Sequence, residues 1–158
     1  MFLDADTFRT VVANTPLVSI DLVVSNRHSD ILLGERLNRP AQGSWFVPGG
    51  RIYKNESLDQ AFRRITTSEL GRMFVRESAR LLGIYEHFYE DSLFGQGGNA
   101  PSTHYVVIAY HVVLSSEDLL TPPHDQHIHY RWWCPEDMAA STQVHLNSKA
   151  YLNCLPLI

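Results

Sequence analysis

Runs of apolar residues alternate along the chain with segments whose apolar residues recur at helical spacing. Residues 17–24 form a near-continuous apolar run rich in β-branched side chains, which is typical of a buried strand. Comparable runs predict further strands at 31–33, 45–47, 81–89, 104–114 and 130–134. Because strands and helices interleave without a regular strand-helix-strand repeat, the pattern predicts an α/β (α+β) fold with a mixed β-sheet sandwiched between helices.

The clearest helix is predicted over residues 57–70, where Ser57 and Gln60 have the spacing of a capping box and Gly71 follows. Its buried stripe is predicted from spacings of three and four residues to consist of Leu58, Ala61, Phe62 and Ile65. Glu69 lies within roughly 20° of that stripe, so we expect it on the buried face. Further helices are predicted at 4–14, 135–140 and 144–154, and a flexible loop at 94–101.

The composition is that of one globular domain over residues 1–158, with 44% hydrophobic and 19% charged residues. A net charge of −4 argues against a broad nucleic-acid-binding surface. However, seven of the 13 Lys and Arg residues lie between Arg36 and Arg72. Solvated surface arginines are one interpretation, and the local enrichment in an acidic chain also fits a small phosphorylated ligand.

Cys134 and Cys154 have no metal-binding spacing, which is typical of free thiols in a reducing compartment. The first residues contain neither a basic segment nor a long apolar core, and no apolar run is long enough to span a membrane. We therefore expect a cytoplasmic protein that binds neither membrane nor nucleic acid.

Five residues occur at a fixed spacing over positions 50–71. They are Gly50, Glu56, Arg64, Glu69 and Gly71, and they follow directly on Pro48-Gly49. This pattern resembles the signature of the Nudix superfamily, a fold with a loop-helix-loop motif. In that signature two further glutamates stand where this chain has Ile65 and Ser68. Positions 65, 68 and 69 share one helix face, so one carboxylate remains of the usual three. The resemblance implies an intact binding loop without the usual water-activating cluster.

A second candidate site holds three histidines in six residues, His124, His127 and His129. They fit a structural zinc site, a solvated loop or a single general base, since imidazole titrates near neutral pH. A fourth zinc ligand at suitable spacing is missing, which counts against zinc. Chemistry alone does not decide which histidine would be the base.

Two polar residues inside predicted strands have two interpretations each. Asp21 interrupts an apolar run, so it is either a strand residue turned to solvent or part of a site. His87 lies among aromatic residues and is either a hydrogen-bonded residue of the sheet or a ligand contact.

Further segments extend the resemblance over nearly the whole chain. They are Thr15–Ser19, Asn38–Gly43 followed by Trp45–Arg51, His87–Tyr89, and Gln126-His127 before Tyr130–Trp132. These segments are similar to the GDP-mannose mannosyl hydrolases, a Nudix branch that also lacks the helix glutamates. The resemblance is weakest at Gly95–Pro101 and in the C-terminal tail, and Glu35 stands where it leads us to expect a basic residue.

For this branch the resemblance implies that water attacks the anomeric carbon of the sugar and not phosphorus. The products would be GDP and mannose, formed with inversion of configuration, and GDP-glucose is a second candidate substrate. GDP leaves readily once its developing charge is neutralised, so the remaining task is to deprotonate a water molecule, which suits one positioned imidazole.

The resemblance implies one Mg²⁺ per active site, held by Glu69, the Gly49 carbonyl and Gln126, with His127 as the base. It also implies a homodimer. The remaining expected contacts are Arg36, Arg51 and Tyr105 to the diphosphate, with Arg36 and Tyr105 counted as catalytic, Asp21 and His87 near the sugar, and Arg64 beside the phosphates or as a brace of the Nudix loop.

Two other classes of function stay open. An ordinary Nudix pyrophosphatase would cleave a nucleotide sugar or a nucleoside triphosphate at phosphorus, and the presence of Ile65 and Ser68 counts against it. A non-catalytic Nudix module would sense a nucleotide sugar without cleaving it. The joint presence of Glu69, Gln126 and His127 counts against that class.

Overall fold

The computed structural model describes residues 2–116, 118–122 and 127–156, without the side chains of His127 and Ile128. Its helices are α1 (Ala5–Asn14), α2 (Leu58–Leu70), α3 (Pro135–Ala140) and α4 (Leu146–Lys149), with 3-10 helices at Arg76–Ser78 and Ala150–Cys154. Its strands are β1 (Leu17–Ser25), β2 (Ile31–Arg36), β3 (Trp45–Phe46), β4 (Gly49–Arg51), β5 (Arg80–Tyr89), β6 (Asp91–Ser92), β7 (Gly95–Gln96), β8 (Thr103–Val113) and β9 (His127–Trp133). Among the described residues, no helix has both the length and the apolar character needed to cross a membrane.

Strand β1 occupies the centre of a seven-stranded sheet. It pairs in parallel with β8 along its whole length, from Leu17 opposite Tyr105 to Ser25 opposite Val113. Strands β2 and β4 pair with β1 antiparallel, β3 and β9 pair with β2, and β5 pairs with the far side of β8. The predicted mixed sheet is therefore confirmed.

The two faces of the sheet carry separate hydrophobic cores, because successive strand residues point to opposite faces. On one face Leu22 belongs to the same buried cluster as Phe62 of α2. On the other face Val23 belongs to a cluster that includes Met138 of α3 and the C-terminal 3-10 helix. Asp21 is two residues before Val23 and points to that second face, toward the C-terminal segment.

Helix α2 has the ends that the sequence predicts. Ser57 and Gln60 form the capping box, in which each side chain accepts a hydrogen bond from the other's backbone N–H, and Gly71 ends the helix at φ 68°. Glu69 is buried as predicted, with 3% of its surface exposed. The assignment of Leu58 to the buried stripe is wrong, because this first helical residue is 38% exposed and lies outside the core cluster.

The segment expected to be a flexible loop at 94–101 begins inside a hairpin formed by β6 and β7. Arg39 Nη1 lies 3.5 Å from Asp91 Oδ2, at the base of this hairpin. At its turn, the ring of Phe94 lies 5.8 Å from the ring of Phe8 in α1. The hairpin is thus held from two sides by contacts that are distant in sequence.

Candidate active site

The loop between β4 and α2 is braced by Arg64. Its Nε lies 2.6 Å from Glu56 Oε1, and its Nη2 donates to Glu56 Oε2 at 2.9 Å and to the Arg51 carbonyl at 2.7 Å. Glu56 Oε2 also accepts the Tyr53 N–H at 2.8 Å, while the Arg64 guanidinium stacks 3.8 Å from the Tyr53 ring. Hydrogen bonds from Arg64 hold the pKa of the Glu56 carboxyl below its usual value. Of the two positions expected for Arg64, these contacts correspond to the brace.

The α2 face that carries carboxylates in the usual signature is largely apolar here. Ile65 is fully buried and packs on Gly50, where an added Cβ would lie 3.2 Å from Ile65 Cγ1. Ser68 is exposed, and its hydroxyl donates to the Ile65 carbonyl at 3.2 Å. Glu69, one turn beyond Ile65, is buried. One carboxylate therefore remains on the face that packs against β4.

Gly49 occupies a position where only glycine fits. It is the Cα partner of Asp21 across β1 and β4. A Cβ at Gly49 would lie 2.5 Å from the Ile20 carbonyl oxygen and 2.7 Å from Asp21 Oδ1. The Asp21 carboxylate therefore lies against the backbone of Gly49, the residue whose carbonyl the resemblance implies as a metal ligand.

Asp21 is buried, so the interpretation as a strand residue turned to solvent is wrong. The Tyr151 hydroxyl donates to Asp21 Oδ2 at 2.6 Å and lies 3.4 Å from His87 Nε2. Burial raises the pKa of Asp21 to about 6, opposed by the Tyr151 hydrogen bond and by the charge of Arg36. Burial lowers the pKa of His87 to about 4, with a further contribution from His145. The site thus contains a buried carboxyl group beside a neutral imidazole.

Arg36, Arg51 and Tyr105 lie near one another. Burial raises the pKa of the Tyr105 hydroxyl, and the positive charges of Arg36 and Arg51 oppose that rise. Arg36 Nε is buried, and within the described part of the chain no group accepts a hydrogen bond from it. Its guanidinium lies 5.9 Å from the Phe46 ring centre. Two positive charges beside a phenol form a suitable site for an anion.

A cavity of about 650 Å³ adjoins this positive region. It is lined by α1, the start of the Nudix loop and the turn of the hairpin, with the aromatic rings of Phe8, Tyr53 and Phe94 among its walls. Arg51 lies at its border, with Cζ 4.2 Å from the Phe8 ring centre. The cavity is therefore aromatic and largely apolar, with a cation at one side.

The sequence assigns no role to several residues around Asp21 and His87, among them Tyr89, His145 and Tyr151. The ring centre of His145 lies 5.2 Å from that of Phe46 and 5.5 Å from that of Tyr89, both in tilted contacts. The Tyr89 hydroxyl accepts a hydrogen bond from Asn147 at 3.1 Å. Together with Tyr151 these residues come from the C-terminal segment and from β5. Tyr89 belongs to the His87–Tyr89 segment of the resemblance, but no motif marks His145, Asn147 or Tyr151, because their proximity to the site depends on how the C-terminal segment folds over the sheet.

The candidate residues predicted from the sequence include His124, Gln126 and His127. His124 and Gln126 lie outside the described residues, and His127 is described by its backbone alone. That backbone begins β9 directly opposite Arg36 of β2. The predicted base is therefore adjacent in the sheet to a predicted diphosphate contact.

The donor set for a metal is small. Within residues 2–116, 118–122 and 127–156, no group of three or more His, Cys, Asp or Glu residues converges. Glu69 and the backbone of Gly49 offer oxygen donors, the type that Mg²⁺ prefers. By donor type, these two residues are compatible with a hard cation, most of whose coordination would come from substrate and water.

The fold, the glycine-bounded loop and the braced helix define a Nudix domain. The NUDIX domain family model matches residues 15–154, and the chain belongs to this family. It is therefore a Nudix hydrolase, an enzyme for which a pyrophosphatase-type activity is supported, and members of the family generally use divalent metal ions such as Mg²⁺.

One similar protein is the Low-salt glycan biosynthesis protein Agl8 of Haloferax volcanii, 45% identical over 115 residues, which are 72% of this chain and 69% of that protein. Among solved structures, the MutT NUDIX hydrolase of Burkholderia pseudomallei superposes with a TM-score of 0.70 at 24% identity, covering 90% of this chain and 100% of that one. The NUDIX domain of Shewanella oneidensis NrtR, complexed with ADP ribose, superposes with a TM-score of 0.65 at 21% identity, covering 96% and 92%. At these identities the two structures establish the fold alone.

Proposed function

We propose that the chain, acting as one domain over residues 1–158, hydrolyses GDP-mannose at the anomeric carbon and releases GDP and mannose with inversion. GDP-glucose is the second candidate substrate. The observation that carries this proposal is the packing of Ile65 on Gly50, which puts a hydrocarbon side chain where the usual signature has a carboxylate. With Ser68 exposed, the helix keeps only Glu69 for a metal, too little for the multi-ion attack on phosphorus.

The proposed metal is one Mg²⁺, held by Glu69, the Gly49 carbonyl and Gln126. Two carbonyl-type oxygens and one carboxylate leave the other octahedral positions for diphosphate oxygens and water. When bound, the ion supplies positive charge that stabilises GDP as the leaving group.

The diphosphate is proposed to bind between Arg36, Arg51 and Tyr105. The buried Nε of Arg36 supports this assignment, because a buried guanidinium N–H without an acceptor among the described residues is costly until an anion occupies the site. Guanidinium groups bind phosphate oxygens in a bidentate manner, which would orient the bond to be broken. Arg36 and Tyr105 would thereby contribute directly to catalysis.

The sugar is proposed to bind against Asp21 and His87, whose buried polar groups suit recognition of hydroxyl groups. His127 is proposed as the base that takes a proton from the attacking water at an imidazole nitrogen. Its backbone position opposite Arg36 puts the residue in the same region of the sheet as the proposed site, and inversion requires its imidazole to reach a water molecule on the sugar face opposite GDP.

The guanine base is proposed to occupy the aromatic cavity beside Arg51. Rings such as Phe8 and Phe94 offer faces on which a purine stacks. Arg51 borders both this cavity and the proposed diphosphate site, as expected for a ligand that continues from one into the other.

The name of Agl8 connects that relative with glycan biosynthesis, which is compatible with a nucleotide-sugar substrate for this chain. The NrtR domain, whose structure contains ADP ribose, is compatible with the same class of ligand. A cytoplasmic homodimer is part of the proposal. The alternative is an ordinary pyrophosphatase, with which the Glu56–Arg64 brace of the Nudix loop is also compatible.

Product analysis separates these functions. The purified chain is incubated with GDP-mannose and Mg²⁺, and the products are resolved by anion-exchange chromatography and a free-sugar assay. We expect GDP and mannose in equal amounts. GMP with mannose 1-phosphate would establish the pyrophosphatase instead, and unchanged substrate would indicate a sensing module.

A further inference from the structure

Tyr151 makes the closest polar contact to Asp21 that the structure records, although no sequence pattern singles it out. It lies in the 3-10 helix Ala150–Cys154 and is fully buried. Its ring packs edge-on against Tyr85, with centroids 4.8 Å apart at 86°. The ring is therefore fixed by packing, and its hydroxyl group is directed at the two polar residues of the proposed sugar site.

The strands that carry Asp21 and His87 are not neighbours. Asp21 lies on β1 and His87 on β5, and β8 runs between them. Strands two positions apart are about 10 Å apart, so the backbone ladder does not by itself fix the two side chains relative to each other. The Tyr151 hydroxyl bridges this gap, at 2.6 Å from Asp21 Oδ2 and 3.4 Å from His87 Nε2.

The direction of these hydrogen bonds follows from proton counting. The single hydroxyl proton of Tyr151 is donated to the Asp21 carboxylate, so the hydroxyl oxygen can only accept from His87. Burial and the nearby Asp21 charge raise the pKa of Tyr151, so the phenol stays protonated. His87 must then carry its proton on Nε2, which leaves Nδ1 as an acceptor.

We propose that Tyr151 is a positioning residue of the sugar site, whose one hydroxyl group orients the Asp21 carboxylate and the His87 imidazole together. The inference rests on the proposed function, in which those two residues contact the sugar. Tyr151 itself does not act on the reacting atoms. It holds the Asp21 carboxylate as an acceptor for sugar hydroxyls and sets the tautomer of the His87 imidazole.

The test compares Tyr151→Phe with Tyr85→Phe in the full chain. Both changes remove one buried or partly buried phenol hydroxyl and keep the ring, but the Tyr85 hydroxyl donates to Cys154 Sγ at 3.1 Å and does not contact Asp21. We expect Tyr151→Phe to lower kcat/KM for GDP-mannose by about 10- to 100-fold, the effect of losing a hydrogen bond to a buried charged group. The inhibition constant of GDP, which lacks the sugar, should change less than about twofold, and Tyr85→Phe should leave both constants unchanged.

A double-mutant cycle with Asp21→Ala tests whether Tyr151 acts through Asp21. If it does, Tyr151→Phe costs much less in the Asp21→Ala background than in the wild type. Equal costs in both backgrounds, or an equal loss of GDP affinity and GDP-mannose turnover, would mean a general packing role and overturn the proposal.

A measurement on the wild type covers the case in which Tyr151→Phe does not fold. Nitrogen-15 NMR of the histidine side chains should show His87 as the Nε2–H tautomer at neutral pH, and an Nδ1–H tautomer would overturn the hydrogen-bond direction. The reaction products are determined in parallel. GMP among them would refute the proposed function, while the tautomer and the GDP affinities would still decide the role of Tyr151.

Discussion

Ile65 and Ser68 replace two expected carboxylates in different ways. Ile65 is absorbed into the core and packs on Gly50, whereas Ser68 faces solvent and bonds its hydroxyl to the preceding turn. Restoring a carboxylate at position 65 would therefore require burying a charge in a hydrocarbon contact. Of the three signature positions on α2, only position 69 therefore carries a carboxylate.

Replacement of Glu69 by Gln should nearly abolish turnover. Loss of a direct ligand should exceed the roughly 10- to 100-fold penalty typical of changes in residues that only support metal ligands. Ser68→Ala, on the exposed side of the same turn, is the control and should change kcat less than about twofold, because the surface there is solvated. The measurement is kcat for GDP-mannose hydrolysis over a Mg²⁺ titration. Near-normal turnover of Glu69→Gln at saturating Mg²⁺ would refute the assignment.

Replacement of Glu56 by Gln should destabilise the chain at pH 7 by about 1.5 to 3 kcal/mol, the range for hydrogen bonds to charged groups. The pKa of Glu56 is lowered in the folded state, so its contribution is present above the unfolded pKa, near 4.5, and is lost as the pH falls through the folded value. Denaturation curves should therefore show wild type and variant converging below about pH 4.5. Glu77→Gln, at an exposed position, is the control. If the difference in free energy of unfolding between wild type and Glu56→Gln did not depend on pH, the stabilising contact between Glu56 and Arg64 would be contradicted.

The burial of Glu69 could be predicted because it depends only on helical periodicity within α2. The environment of Asp21 could not, because its partner Tyr151 lies 130 positions away. An acidic residue in a buried strand is compatible with either face until the C-terminal segment is placed over the sheet. Local pattern thus identified the residue but not its partner.

Helix α2 is held against the sheet by its buried residues, which include Ile65 but not Leu58. Ile65→Ala should destabilise the chain by about 2 to 5 kcal/mol, because it opens a cavity against β4 and the core. Leu58→Ala on the same helix should cost far less, since Leu58 is 38% exposed. Both free energies of unfolding are measured by urea denaturation. Equal costs would mean that the contact between α2 and Gly50 is not the one described.

The hairpin of β6 and β7 contributes a wall of the cavity proposed for guanine. Phe94→Ala should weaken GDP binding by about 5- to 100-fold, because stacking of a base is worth about 1 to 3 kcal/mol. Inorganic pyrophosphate, which has no base, should inhibit wild type and variant equally. The control is Phe88→Ala, which removes an aromatic ring that stacks on His104 away from the cavity. If the variant also lost affinity for pyrophosphate, the proposal that guanine binds in this cavity would be wrong.

Some elements are determined by local sequence signals and others by tertiary contacts. The ends of α2 are set by Ser57, Gln60 and Gly71, all of which are local, and the sequence predicts them. Strand β4 is three residues long and owes its pairing to β1, and the hairpin owes its position to Arg39 and Phe8. Such tertiary contacts leave no periodic pattern, which explains why the segment at 94–101 was expected to be flexible.

At the scale of the whole molecule, the proposed site lies along β1 and β4. Strand β1 separates the cores and carries Asp21, while β4 brings Gly49 beside it. Arg36 and Arg51 bring positive charge to this region of a chain with a net charge of −4. In the proposed function, this arrangement would combine anion binding with few metal-binding carboxylates and would assist a leaving diphosphate in preference to activating water against phosphorus.

The position of bond cleavage tests this account most directly. GDP-mannose is hydrolysed in ¹⁸O-labelled water with Mg²⁺, and the products are separated and analysed by mass spectrometry before the sugar exchanges its anomeric oxygen. Attack at carbon predicts the label in mannose and unlabelled GDP. Label in the phosphate of GDP or GMP would place the attack at phosphorus and contradict the account.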